Sequence, residues 1–129
     1  MEPISAAADV LGDRWTLLIL RDIVFEDRRY FRALLTGSAE GIATNILADR
    51  LARLLDAGIL TRGAAGRGQR ARYSLTEAGV QTVPVLLAFA DWGRDWRPTD
   101  TEAETERRLP VDELMRDLRA RHAPDAETS

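Results

Sequence analysis

The chain has 129 residues, of which 18 are basic and 21 acidic, so its net charge is −3. This length predicts one domain, and 45% apolar with 30% charged residues is typical of a folded protein with a real core. The longest nearly apolar stretches, 15–20 and 83–90, are far shorter than the roughly 20 residues that cross a bilayer. The first residues also lack a secretory signal pattern. We therefore expect a cytoplasmic protein.

The residue types exclude much chemistry. The absence of cysteine excludes disulfides, thiol nucleophiles and zinc–cysteine sites. The single histidine, His122, stands near a polar tail, so one chain cannot build a Ser–His pair or a two-histidine metal site. Glu102, Glu104 and Glu106 are too loosely arranged for acid–base catalysis. We expect no enzyme and no cofactor.

Charge is distributed unevenly. Residues 1–97 contain 13 arginines and 12 acids, a net charge of +1, whereas 98–129 contain 5 arginines and 9 acids, a net charge of −4. All basic residues are arginine, which codon bias alone would explain, although the planar guanidinium also suits phosphate and guanine. The segment 57–76 is a basic patch, with four arginines and no acid.

Two helices are predicted at the start of the chain. Apolar residues at helical spacing indicate a helix over 4–11, with Pro3 in its first turn and Gly12 at its end. Asp13 is a suitable cap for the next helix. The segment 14–25 is apolar on all sides and predicts a central, buried helix.

The middle of the chain predicts a helix-turn-helix. Residues 26–35 indicate a short helix, and 36–41 a turn. A clean amphipathic stripe then predicts a helix over 43–58, with Gly58 as its C′ residue. The stripe consists of Leu47, Leu51, Leu54 and Leu55.

Two short strands follow, over 59–62 and 71–75, around a Gly-Arg loop at 63–70. This pattern predicts a β-hairpin with a basic tip. Thr76 is a good N-cap for a helix over 76–97, which Pro84 would kink.

The helix over 76–97 has apolar residues on more than one side, and a partner subunit is the economical way to cover them. Residues 98–110 have the composition of a linker. Residues 111–121 predict an amphipathic helix, and 122–129 a frayed end. We thus divide the chain into residues 1–97 and an acidic C-terminal segment, 98–129.

This order of elements is that of a winged helix-turn-helix, a mainly α fold with a small β-hairpin. Five blocks of sequence, in order, make the similarity more specific. They are DVLGDRWTLLILRDIVF (9–25), RRYFRALL (28–35), GIATNILADRLARLLDAGIL (41–60), RYSLTEAG (72–79) and ADWG (90–93).

Over about residues 2–97 the chain resembles the HxlR-type family of bacterial transcriptional regulators. The resemblance implies a dimeric, DNA-binding regulator with 43–57 as recognition helix and 63–70 as wing. Many relatives begin this domain with a cysteine that senses oxidants or electrophiles. Here the start is Glu2-Pro3-Ile4, so thiol switching is not carried over.

The recognition helix contains several candidate DNA contacts. Thr44 and Asn45 stand in its first turn, where they either reach base edges or cap the helix. Asp49 either accepts from cytosine or is simply solvated. Arg50 and Arg53 either bind DNA or pair with acids along the helix.

Four further arginines are candidates for phosphate contacts. Arg67 and Arg70 lie on the wing with no acid nearby, which favours phosphate binding. Arg28 and Arg29 precede the turn and are candidates for the DNA backbone.

Phe89, Trp92 and Trp96 line either a small-molecule pocket or a core or dimer interface. We expect dimer contacts from 4–11 and 76–97, with 111–121 as an addition. The favoured function is a homodimeric regulator, a repressor, on double-stranded DNA with two inverted half-sites. The alternatives are a regulator with an aromatic effector pocket at the dimer interface, or a winged-helix module for protein interactions.

Overall fold

The computed structural model describes residues 1–65, 70–100 and 109–126, and it is a winged helix-turn-helix. The fold class predicted from the sequence is therefore confirmed. The helices are α1 (Pro3–Leu11), α2 (Arg14–Glu26), α3 (Phe31–Thr36), α4 (Thr44–Asp56), α5 (Glu77–Val80), α6 (Val83–Trp96) and α7 (Val111–Ala126). The strands are β1 (Leu60–Arg62) and β2 (Tyr73–Leu75).

The core lies between α2, α4, the two strands and α7, and every element except α1 contributes buried apolar side chains to it. These side chains include Ile23, Leu34, Leu47, Leu75, Val83 and Leu118. Helix α2 is central, as its composition predicts. Helix α1 buries none of its residues, so within one chain it is an exposed, apolar helix.

The helix predicted over 26–35 is wrong at its start. Asp27 has a left-handed backbone (φ 53°) and ends α2, so α3 begins only at Phe31. Other boundaries agree with their local signals. The Asp13 carboxylate accepts from the Thr16 N–H at 3.0 Å and caps α2. Gly58, with φ 74°, follows α4 as expected.

The strands pair antiparallel, with partners Leu60 and Leu75, Thr61 and Ser74, and Arg62 and Tyr73. Leu60 and Leu75 both point into the core. The strand pairing of the predicted hairpin is confirmed. Its tip, 66–69 with Arg67, lies outside the described residues.

The prediction of a single kinked helix after β2 is wrong, because the structure has two helices there. The first helix ends before Gln81 and the second begins after Thr82, whose side chain donates to the Gly79 carbonyl. Pro84 falls in the first turn of α6. A proline has no N–H to donate and is accommodated there, where that N–H would lack a helical partner. The proline thus begins a helix instead of bending one.

The frayed end predicted at 122–129 is wrong over residues 122–126, because α7 continues to Ala126 and His122 is 0% exposed. Residues 127–129 lie outside the described residues. Leu114, Met115 and Leu118 of α7 are buried as well. They pack on β2, β1, α5 and α6 of the same chain. This face of α7 is therefore used within the protomer and is not available for the dimer contact expected of 111–121.

Within the described ranges, no helix combines the length and the apolar composition needed to cross a membrane.

Two glycines allow a matched test of the packing between α5 and β1. A Cβ at Gly79 would meet the Ile59 carbonyl oxygen at 2.4 Å, whereas a Cβ at Gly93 of α6 would meet nothing within 4 Å. We expect Gly79→Ala to destabilise the fold by about 1–3 kcal/mol through overpacking. Gly93→Ala should stabilise it by about 0.5–1 kcal/mol, since alanine is the better helix former. Urea unfolding measures both changes in the free energy of unfolding. Equal effects of the two substitutions would contradict a close contact between Gly79 and the Ile59 carbonyl.

Candidate nucleic-acid interface

The first turn of α4 presents two polar side chains to solvent. Thr44 and Asn45 are both exposed. The N-cap position is Ala43, and no side-chain hydrogen bond caps the helix. Thr44 and Asn45 therefore do not cap the helix. Their exposed side chains stand at the helix start, next to first-turn N–H groups that no capping side chain occupies.

Arg50 is partly buried and is held by ion pairs within the protein. Its Nε donates to Asp13 Oδ2 at 2.8 Å and its Nη2 to Asp13 Oδ1 at 3.2 Å. Because Asp13 also caps α2, one carboxylate joins the start of α2 to the middle of α4. The hydrogen bond from Arg50 holds the pKa of Asp13 at about 2, below its ordinary value of 3.8. Arg50 thus fixes the orientation of the candidate recognition helix.

Asp49 bridges two arginines on the exposed side of α4. Its Oδ2 lies 2.8 Å from Arg50 Nη1 and 3.0 Å from Arg53 Nε. The Arg53 side chain remains 67% exposed. Asp49 therefore orients Arg53, which is the more accessible cation of this helix.

The structure separates the two arginines before α3. Arg28 is partly exposed, and its guanidinium lies 3.4 Å from the buried carboxylate of Asp22. Arg29 is only 6% exposed. It donates to the Tyr73 carbonyl at 3.0 Å and to Ser74 Oγ at 2.6 Å. The expectation that Arg29 contacts the DNA backbone is therefore withdrawn, because its guanidinium is buried against β2.

The described part of the wing retains one exposed candidate, Arg70. Its guanidinium carbon lies 4.3 Å from the centre of the Tyr30 ring, a cation–π geometry. Tyr30 is the N-cap residue of α3. The base of the wing is thus held against the first helix of the helix-turn-helix.

Phe89, Trp92 and Trp96 are each more than half exposed on α6. A groove of about 870 Å³ runs between α2 and α6, and Phe89 lines it, but Trp92 and Trp96 do not. The apolar lining includes Leu17, Leu18, Phe25 and Leu86, and the charged lining includes Arg14, Arg21, Arg94 and Glu26. Among the described residues, Phe89 therefore lines this groove without Trp92 or Trp96.

Two residues that sequence reasoning did not assign to the site lie beneath the wing, Tyr30 and His122. His122 Nδ1 accepts from the Leu75 N–H at 2.8 Å. A signal for its burial exists, since His122 follows Leu118 by four residues and continues the apolar stripe of α7. No comparable local pattern marks Tyr30 as a partner of Arg70.

Comparison with known proteins adds an independent line of evidence. Residues 10–101 match the family model described as HxlR-like helix-turn-helix. The chain is 33% identical over 98 residues to the uncharacterized HTH-type transcriptional regulator Rv3095 of Mycobacterium tuberculosis, which covers 75% of this chain and 60% of that regulator. The chain thus spans about 60% of the length of such relatives.

Solved structures show the same similarity. The protein PA1607 superposes with a TM-score of 0.69 at 33% identity, over 84% of this chain and 78% of that one. The reduced form of the transcriptional regulator YodB from B. subtilis gives a TM-score of 0.62 at 25% identity, over 78% and 98%.

The Asp13–Arg50 link predicts a pH-dependent contribution to stability. Asp13→Ala removes both the cap of α2 and the partner of Arg50, and we expect a loss of about 0.5–2 kcal/mol at neutral pH. Because the folded-state pKa lies below the ordinary value, the advantage of the wild type is complete above about pH 4. It should vanish as the pH falls towards 2.

Urea unfolding across this pH range measures the difference, with Asp9→Ala at an exposed position of α1 as the control. A wild-type advantage that persists unchanged at pH 2 would contradict the role of the Asp13 carboxylate.

Proposed function

Because the chain belongs to the HxlR-like helix-turn-helix family, we propose that it is a DNA-binding transcriptional regulator that recognises an inverted-repeat operator as a homodimer. The observation that carries this proposal is the first turn of α4, where Thr44 and Asn45 are exposed and unused in capping. The N-terminal residues of a recognition helix are those that contact base edges in the major groove. A dimer bound at a promoter excludes polymerase by occupancy alone, so repression is the simplest outcome.

Base readout is assigned to the start of α4. The Asn45 amide pairs bidentately with adenine, and the Thr44 hydroxyl and methyl contact a neighbouring base. The outward N–H groups of the first turn carry the positive end of the helix dipole, which favours the approach of phosphate. Asp49 remains a candidate for a contact with cytosine, although its ion pairs with Arg50 and Arg53 indicate that it orients Arg53.

Phosphate contacts are assigned to exposed arginines on two sides of the helix. Arg53 extends from α4, and Arg70 extends from the base of the wing. Arg67 remains in this set on the basis of its sequence position, and Arg28 remains as a flanking contact. Such contacts set the position of the protein on the duplex, whereas the bases set specificity.

The homodimer is supported by two apolar surfaces that one chain leaves uncovered. Helix α1 buries no residue, and α6 exposes Phe89, Trp92 and Trp96. Exposed apolar surface of this kind marks an interface, and a second copy of the chain covers it symmetrically. The two recognition helices then lie about one DNA turn apart, as inverted half-sites require.

The groove between α2 and α6 favours one alternative, an effector-responsive regulator. Its volume of about 870 Å³ falls within the range of roughly 300–1,000 Å³ that is usual for ligand sites. Apolar walls at Phe25 and Phe89 with Arg14 and Arg94 at the rim suit an amphipathic anion. In this alternative the DNA-binding role of α4 is unchanged.

DNA binding is tested by anisotropy titrations of the protein's own promoter duplex and of a scrambled duplex. We expect Asn45→Ala to weaken promoter binding by about 1–3 kcal/mol with little effect on the scrambled duplex. Arg70→Gln should weaken binding to both and lower the salt slope by about 1. Arg116→Gln, at an exposed position of α7, is the control. Equal affinity of the wild type for both duplexes would refute a sequence-specific regulator, and binding without salt dependence would favour a protein-interaction module.

The dimer is tested by sedimentation velocity. Trp92→Glu places a charge on the exposed face of α6, and we expect it to convert the dimer to a monomer while the helical circular dichroism is retained. Val111→Glu, at an exposed apolar position of α7, is the matched control and should remain dimeric. A wild-type protein that sediments as a monomer at tens of micromolar would contradict the assignment.

A further inference from the structure

Helix α7 lies beyond the residues that match the family, which end at 101, yet it is part of the folded unit. Leu114, Met115 and Leu118 are buried against the hairpin and α5. The same face carries His122, which is completely buried. Helix α7 therefore supplies a polar group, as well as apolar packing, to the base of the wing.

That polar group closes the outer edge of β2. In an antiparallel strand, alternate residues direct their N–H and C=O groups away from the paired strand. Here Tyr73 N–H donates to the Arg29 carbonyl at 2.8 Å, and Leu75 N–H donates to His122 Nδ1 at 2.8 Å. The Tyr73 carbonyl accepts from Arg29 Nε at 3.0 Å. Two residues distant in sequence thus replace a third strand.

The hydrogen bond defines the state of the imidazole. Since Nδ1 accepts, it carries no proton, and the neutral ring holds its proton on Nε2. An apolar residue at 122 would fill space but leave the Leu75 N–H without an acceptor, which is costly in a buried position.

Arg29 extends the connection to the wing cation. Its Nη1 donates to the Arg121 carbonyl of α7 at 3.3 Å, and its Nη2 donates to Ser74 Oγ at 2.6 Å. The next residue, Tyr30, lies under the guanidinium of Arg70. Helix α7, strand β2 and the exposed arginine of the wing are therefore joined through consecutive contacts.

We propose that His122 and Arg29 are positioning residues for DNA binding, which fix the hairpin so that Arg70 is presented to a DNA phosphate. The inference rests on the proposed DNA-binding function, because it assigns α7 a role in that same interface. Neither residue contacts DNA itself. They act by holding β2, and through Tyr30 they set the direction of the wing.

The test uses three substitutions of His122 in the full-length chain. Asn places an amide oxygen near the position of Nδ1, Gln places its amide further out, near Nε2, and Leu provides no acceptor. Amide hydrogen exchange without DNA is measured at Leu75 and, as an internal reference, at Leu51 of α4. We expect exchange at Leu75 relative to Leu51 to rise at least about tenfold in His122→Leu and His122→Gln, and to stay near wild type in His122→Asn.

The control is Leu118→Ala, which removes a fully buried apolar side chain of α7 but leaves the His122 and Arg29 hydrogen bonds at the edge of β2 in place. It should lower the melting temperature and raise exchange at Leu75 and Leu51 together. If His122→Leu does not fold, the Asn and Gln pair still separates the two positions of the acceptor. A rise at Leu75 in the Asn variant equal to that in Gln would overturn the proposal.

DNA affinity is then measured well below the lowest melting temperature. We expect His122→Leu and His122→Gln to weaken binding to promoter and scrambled duplexes alike by about fivefold to tenfold, and to lower the salt slope by about 1, as Arg70→Gln does. Combination with Arg70→Gln should give no further loss, because both act on one contact. His122→Asn should bind within about twofold of wild type.

An additive double variant, an equal loss in Leu118→Ala, or unchanged affinity despite faster exchange at Leu75 would each overturn the positioning role. A wild type that does not prefer its promoter would instead refute the proposed regulator, and the exchange measurements would still decide whether His122 closes the strand edge.

Discussion

A hairpin with only three residues in each strand depends on what its outer edge is bonded to. Two short strands are marginal in water without further pairing or packing. In this protein the outer edge of β2 is closed by the backbone and guanidinium of Arg29 and by the imidazole of His122. These bonds hold β2 at the base of the wing, and the proposed position of Arg70 in the candidate interface depends on them.

Several arginines also connect parts of the fold that are distant in sequence. A chain without lysine places several guanidinium groups in pairs that join elements distant in sequence. These pairs join Arg21 to Glu40, Arg50 to Asp13, Arg119 to Glu77 and Arg121 to Asp27. A bidentate cation suits this purpose, since it fixes direction as well as distance. A count of basic residues is thus a poor measure of the charge available to DNA.

The sequence predicted those elements whose position depends on residues close together along the chain. The apolar period placed α2 and α4 to within two residues, and the Asp13 cap follows from the residue itself. The interruption of the helix at Gln81 and Thr82 was not predicted. A single helix that kinks at Pro84 and a second helix that begins there differ only in which backbone carbonyls accept a hydrogen bond.

The hydrogen-bond partners of Arg29 and His122 could not be read from sequence for a different reason. The partners of Arg29 in β2 lie 44 and 45 residues away, and the partner of His122 lies 47 residues away. Spacing along one element carries no information about such contacts. An arginine in a basic run has the same sequence context whether it faces solvent or the interior, and the spacing that marks His122 for burial does not identify its partner. The roles of Thr44, Asn45 and Arg70 remain proposals, since exposure alone does not identify a DNA contact.

The alanine at the N-cap of α4 has a consequence for the balance between folding and recognition. Serine, threonine or aspartate at position 43 would satisfy a free N–H and stabilise the helix by about 1 kcal/mol. An aspartate would also place a negative charge at the end of the helix that is proposed to meet a polyanion. With Ala43 the protein forgoes that local stability and leaves its first-turn donors uncommitted. In the proposed complex, acceptors on the DNA would bond these first-turn N–H groups, so that binding recovers a part of the stability that folding leaves out.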